Sequence, residues 1–202
     1  SRLYHCFMNF LEPILLIHVL TRLGLTQNFI QDQYAILSGY VVSMLVTPTF
    51  FCTIIYRLYL PIATDDLYYH KKNTFLHLLY ALFICLIIGL PFTFIFYFLP
   101  KQALMILYNT SKGYQQLKYM AFPFLLFYLQ TPLSTILQAK NKNKIMFIIS
   151  IIECTLEISL TYTLSHYLYV NAILISLFIG LITTLTLSAI YCFKIIKDTS
   201  LS

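Results

Sequence analysis

The chain has 202 residues, of which 59% are hydrophobic and 10% charged, and its 13 Lys and Arg against 7 Asp and Glu give a net charge of +6. A soluble domain carries about 25% charged residues, so this supply is too small to cover a water-facing surface, and a soluble globular enzyme is excluded. The basic residues are also too scattered for a nucleic-acid surface, with "KNKNK" too short to make one alone.

Six apolar stretches follow in order: Leu3–Leu20, Tyr34–Tyr59, Thr74–Leu99, Lys118–Ala139, Ile145–Tyr167 and Val170–Ile196. Each is long enough, as a helix, to cross a hydrocarbon core of about 30 Å. Their Val, Ile, Thr and Phe would favour strands in water. In lipid the backbone must satisfy its own hydrogen bonds, so such runs become helices. Barrel strands would alternate polar and apolar residues, and "FICLIIGLPFTFIFYFL" does not. The expected fold is an all-α integral membrane protein with six transmembrane helices.

The first stretch, "MNFLEPILLIHVL", carries Glu12, Pro13 and His18. With five more spans behind it and no small-residue cleavage site, it is not a cleaved signal peptide. A charged carboxylate at its centre would cost about 2.5–3.5 kcal/mol, so Glu12 is expected to face a bundle interior or a wet cavity. His18 lies on a different face and reads as an interfacial side chain.

The second stretch holds Pro48 and ends at Arg57, ahead of a cytoplasmic loop "RLYLPIATDDLYYHKKN". Arg57 either snorkels to the headgroups or meets an anionic substrate at the cytoplasmic mouth. The third holds Pro91. After it, "ALMILY" reads as a short interfacial helix, and Asn109, Thr110, Ser111 and Gly113 turn the chain back.

Gln130 and Gln138 polarise the fourth stretch, with Pro123 and Pro132 inside it. The two glutamines either line a pathway or lock helices together. Each proline removes a backbone donor and frees a carbonyl. Proline is commoner in membrane helices than in soluble ones, but so many of them suggest a bundle that bends around a cavity. Pro13, Pro48, Pro91 and Pro132 are the expected hinges.

The fifth stretch, "IIECTLEISL", sets Glu153 and Glu157 one turn apart on one face. Ser150, Thr161 and Ser165 extend that face. Two carboxylates this close in a low dielectric repel when both are charged. The arrangement suits a proton or cation relay. It equally suits a structural cluster between helices.

Cys6, Cys52, Cys85, Cys154 and Cys192 all fall inside predicted spans without a CxxC pair. They read as small buried hydrophobes, not metal ligands or disulfides. There is no Gly-rich phosphate loop, no HExxH and no GxSxG, and Ser165 and His166 are adjacent on one helix and cannot face each other. No enzyme activity, cofactor or metal is expected.

Orientation follows the basic residues. With six spans, Arg2, Arg57, Lys71, Lys72, Lys140, Lys142, Lys144, Lys194 and Lys197 fall on one side, and Arg22, Lys101, Lys112 and Lys118 on the other. The positive-inside rule then puts both termini in the cytoplasm of a multi-pass cell-membrane protein.

Several motifs together resemble one family. "LEPILLIHVLTRLGLTQ", "LSGYVVSMLVTPTFFCTIIYRLYLPIATDD", "GLPFTFIFYFLPKQALMILYN" and above all "YLQTPLSTILQAKNKNK" are similar to the second lobe of the stage V sporulation protein B and polysaccharide biosynthesis transporter family. That family lies within the multidrug/oligosaccharidyl-lipid/polysaccharide flippase superfamily. Where its members have glycines after the Leu-Gln of the last motif, this chain has "AKNKNK". The resemblance implies one six-helix lobe of a two-lobed flippase, working by alternating access on a lipid-linked cell-envelope precursor. It implies a chain cut from a longer protein, partnered by a first lobe or a second copy, with membrane lipid, a lipid-linked saccharide and a coupling ion (proton or sodium) as partners. Under it, Glu12, Arg57, Gln130, Glu153 and Glu157 are the expected substrate or ion pathway. The acidic character of the deep residues departs from the basic cavity expected for lipid-pyrophosphate substrates. It leaves open a cation-coupled multidrug exporter of the same fold. A third reading is a membrane scaffold of envelope synthesis that transports nothing.

Overall fold

The computed structural model describes residues 2–69 and 73–201, with side chains described from residue 11 to residue 198. Arg2, Lys71, Lys72 and Cys6, all used above, lie outside those described side chains. Every regular element among the described residues is helical. They are α1 (Arg2–Arg22), α2 (Gln27–Ala35), α3 (Ser43–Val46), α4 (Thr49–Tyr68), α5 (Thr74–Phe98), α6 (Pro100–Tyr108), α7 (Tyr114–Ala139), α8 (Asn143–Leu168) and α9 (Ala172–Leu201). A π-helical stretch, Ile36–Val42, joins α2 to α3, and a 3₁₀ turn, Tyr169–Asn171, joins α8 to α9.

Three described stretches are long and apolar enough to cross a membrane: Thr74–Phe98, Tyr114–Ala139 and Asn143–Asp198. The pair Gln27–Val46 and Thr49–Tyr68, bent by 41° at a short break, makes a fourth if it forms one span. Within the third stretch the chain folds back on itself. Thr161 hydrogen-bonds Ser176 across α8 and α9 (2.7 Å), a Cβ at Gly180 would meet Glu157, and Glu153 lies beside Thr184. Partners shift in opposite directions along the two helices, which is the register of an antiparallel hairpin.

The turns explain where helices stop. Gly24 (φ 87°) ends α1, and Asn109 (φ 51°) ends α6. At the end of α7, Asn141 takes φ 54°, while the Lys142 N–H reaches back to the Leu137 carbonyl (2.9 Å) and the Asn141 N–H to Gln138 (2.8 Å). This is a Schellman-type close, which glycine usually supplies and asparagine tolerates. Asn141 performs this turn in place of a glycine.

Helix α7 is the hub, packed on α4, α5, α6, α8 and α9, while α1 lies against α8. One buried cluster joins α1, the bent helix, α5, α7 and α9 around Leu45, Phe124 and Tyr128. A second joins α4, α5, α7, α8 and α9 around Ala63, Ile136 and Cys192. Cys52, Cys85, Cys154 and Cys192 are buried and form no disulfide with one another.

The cytoplasmic loop expected after Arg57 is instead helical as far as Tyr68. Proline at position 61 does not stop α4, and neighbouring packing holds it: Asp66 is buried and bonds the Nδ1 of His77 on α5 at 2.5 Å. The short helix expected at "ALMILY" is present as α6, starting at Pro100.

Candidate functional site

Two adjoining cavities lie between α1, the bent helix, α7, α8 and α9. The first, about 210 Å³, is lined by Glu12, Tyr34, Ser38, Val42, Glu157, Ile173 and Leu177. The second, about 400 Å³, is lined by Val42, Val46, Phe124, Phe127, Gln130, Ser150, Glu153, Glu157, Leu177 and Leu181. Both share Val42, Glu157 and Leu177, so Glu157 stands at their junction.

The carboxylates arrive from two helices. Glu12 sits near the middle of α1, and Glu153 and Glu157 sit one turn apart on α8. Glu12 and Glu153 are both within electrostatic reach of Glu157. Opposite them, α9 presents Gly180, where an added Cβ would fall 2.7 Å from Glu157 Oε1 and 2.9 Å from its Cγ. The glycine is thus the space into which the Glu157 side chain leans. One turn on, the Thr184 hydroxyl donates to the Gly180 carbonyl (3.0 Å) and lies beside the Glu153 carboxyl.

Gln130 comes from α7. Its Oε1 is buried without a partner beside the Glu153 end of the second cavity. An unpaired buried carbonyl oxygen is uncommon and calls for a ligand or water donor. Gln138, two turns later, is committed elsewhere: it accepts from the Tyr56 hydroxyl and ties α7 to α4. The two glutamines of the fourth stretch therefore do different things.

The polar face expected on α8 divides in the same way. Ser150, Glu153 and Glu157 line cavity, whereas Thr161 is spent on Ser176, and Ser165 is buried with its hydroxyl donated to the Tyr162 carbonyl. Arg57 is separate from all of this. It lies exposed in the middle of α4, among residues that line neither cavity.

Of the expected hinges, Pro48 stands at the break between α3 and α4. Helices α1, α5 and α7 continue through Pro13, Pro91 and Pro132. Pro48 lacks the N–H that would reach the Met44 carbonyl, and Thr47 supplies one instead (3.2 Å). The Thr49 hydroxyl donates to Val46 (2.6 Å), and the Tyr128 hydroxyl of α7 donates to Leu45 (2.7 Å). Side chains satisfying carbonyls around a proline break are what makes such breaks tolerable in a membrane helix. Tyr128 in turn needs Gly89: a Cβ there would sit 2.6 Å from its ring.

Sequence reasoning missed Gly180, Thr184, Tyr34 and Ser38. The available signal was scarcity. With only 5 glycines in the chain, a glycine inside an apolar helix marks a close approach. The π-helical stretch carrying Ser38 and Val42 has no sequence signature, although such stretches recur at functional sites.

The chemistry of this lining is acidic and oxygen-rich. It suits a proton or a cation and repels an anionic group. Among the described residues no group of three or more His, Cys, Asp or Glu side chains is close enough to hold a metal ion.

No family model matches the chain, and no solved structure matches it. The chain is similar to stage V sporulation protein B of Bacillus subtilis (strain 168), at 26% identity over 157 residues. The match takes in 77% of this chain but 30% of that protein, so this chain spans under a third of its relative's length. The apolar helices and this distant similarity together describe a helical membrane protein with a weak relationship to a sporulation-stage protein.

Proposed function

We propose that this chain is one lobe of a membrane transporter of the lipid-linked oligosaccharide or polysaccharide flippase type. In this reading α1, the bent α2–α4 unit, α5, α7, α8 and α9 are six spans, α6 lies in the interface, and both termini are cytoplasmic. The lobe rocks against a first lobe or a second copy and carries a lipid-linked envelope precursor across the cell membrane, with no covalent chemistry. The lobe's own contribution is the site for a coupling cation, a proton or sodium.

One observation carries this reading: Glu12, Glu153 and Glu157 converge from α1 and α8 on joined cavities, with Gly180 clearing space for Glu157. Membrane-embedded carboxylates are costly and are as a rule functional. A scaffold with no transport role has no use for three of them beside open volume. The similarity to stage V sporulation protein B supports the family, at 26% identity.

The test uses the full-length polypeptide in liposomes. Glu157→Gln is expected to abolish ion-gradient-driven translocation of a lipid-linked saccharide while leaving the protein folded. Unchanged translocation in Glu157→Gln, and again in Glu12→Gln, removes the coupling role.

The ionisable residues of the lining are all acidic, which favours one second reading, a cation-coupled multidrug exporter of the same fold. A cationic dye moved by the same liposomes, with the lipid-linked saccharide left in place, would select it.

A further inference from the structure

On the opposite side of α7 from the carboxylates, two lysines and five aromatic rings form a second polar–apolar feature. Lys101 at the start of α6 lies over the Tyr114 ring of α7, at 4.5 Å from its centroid. Lys118, one turn further along α7, lies over the Tyr97 ring at the end of α5, at 5.1 Å. The contacts are reciprocal: α7 gives one cation and one ring, and the α5–α6 pair gives the others. Both lysines are exposed, and a cation–π contact holds an ammonium group without consuming its hydrogen-bond capacity.

Below the lysines the surface is aromatic. Tyr97 packs on Phe98 (5.1 Å) and Phe122 (5.1 Å), and Phe94 packs on Phe98 (6.1 Å) and Phe122 (6.2 Å). Phe94, Phe98 and Phe122 are all exposed. Exposed aromatic area of this kind on an apolar helix pair faces acyl chains.

The charge on this edge is unopposed. From Leu67 to Ile152 the sequence holds no Asp or Glu, so α5, α6 and α7 provide no carboxylate at all. Lys101 and Lys118 have only their aromatic partners among the described residues. An amphiphile with a negative head and an apolar body complements both halves.

We propose that the Lys101–Lys118 edge above the Phe94, Tyr97, Phe98 and Phe122 platform binds one anionic phospholipid of the surrounding bilayer. The phosphate takes the two ammonium groups, and the upper acyl chains lie on the rings. The site is independent of the carboxylate cavities and of what the protein transports.

The test is native mass spectrometry of the full-length polypeptide, with phosphatidylglycerol and phosphatidylcholine supplied in equal amounts. The wild type is expected to retain phosphatidylglycerol in preference. A Lys101→Gln/Lys118→Gln variant is expected to lose that preference by about tenfold, since each basic side chain near an anionic lipid contributes severalfold. Lys101→Arg/Lys118→Arg keeps it, as does the control Lys140→Gln/Lys144→Gln. Equal retention of both lipids by the wild type overturns the proposal. So does an unaltered preference in the double glutamine variant. High salt is a second readout that needs no variant: it is expected to erase the preference, and a preference indifferent to salt also overturns the site.

Discussion

Gly180 and Glu157 show how one missing side chain can determine a site. An alanine at position 180 would put its Cβ 2.7 Å from Glu157 Oε1, too close for any real contact. The carboxylate would have to swing into the cavity, because the α9 backbone cannot retreat without parting α8 from α9. Gly180→Ala is therefore expected to cost about 1–3 kcal/mol, the usual range for overpacking, and to abolish coupled transport. Thermal unfolding in detergent checks the first, and the liposome assay the second. Retained transport would show that the rotamer of Glu157 is immaterial. Tyr128 is the contrasting case, because its hydroxyl serves a carbonyl rather than a ligand. Tyr128→Phe removes the donor to Leu45 and is expected to cost about 1 kcal/mol, between the average for membrane hydrogen bonds and the price of an orphaned buried acceptor. A denaturant titration that finds no loss would mean the Leu45 carbonyl has another donor.

At the scale of elements, the bent helix and the α8–α9 hairpin behave differently. The hairpin is held in register by Thr161–Ser176, Gly180–Glu157 and Glu153–Thr184, each on the contact face of both helices. The bent helix has a π-helical stretch at Ile36–Val42 and a proline break after Val46, and its π stretch supplies Ser38 and Val42 to the cavity wall. Restoring the N–H at position 48 would let an ordinary i to i−4 bond form. Pro48→Ala is expected to reduce the 41° bend and so to lengthen the spin-label distance measured between the far ends of α2 and α4. An identical distance distribution would place the cause of the bend in tertiary packing and not in the proline. The hairpin is expected to keep its distances in the same variant, since nothing at Pro48 supports it.

At the scale of the whole molecule, sidedness is the property that the proposed function needs. The turn carrying Lys140 and Lys142 and the turn carrying Lys112 lie at opposite ends of α7, so with α7 as a span they are expected on opposite faces of the membrane. Single cysteines placed at Asn141 and at Thr110, in a background lacking the native thiols, are expected to react with an impermeant maleimide from the cytoplasmic and the external side respectively. The positive-inside rule gives that assignment. Reaction of both from one side would remove α7 as a span, and the six-span arrangement with it.

How much of this was legible beforehand depended on what the side chains had to answer to. Long apolar runs must become helices in lipid, because no other backbone arrangement satisfies its own N–H and C=O groups there. The described residues are accordingly helical almost throughout, and Thr74–Phe98, Tyr114–Ala139 and Asn143–Asp198 are long and apolar enough to cross a membrane. The i, i+4 spacing of Glu153 and Glu157 fixed their common face for the same local reason. Helix α4 continues past Arg57 to Tyr68 because the end of an apolar run is not the end of a helix. Asp66 looks like a loop residue until His77 from another helix satisfies it.

By itself, then, the sequence determined composition-level facts: a lipid-compatible helical chain, the position of its apolar stretches, and the few carboxylates that lie within them. Those follow from solvent and backbone hydrogen bonding, which act on each segment separately. Only the tertiary structure decided which carboxylates share a space, that Gly180 makes room for one of them, and that Gln130 faces the cavity while Gln138 is spent on Tyr56. These depend on how neighbouring helices rotate and slide against each other. Packing between distant parts of the chain sets that rotation, and no local pattern encodes it.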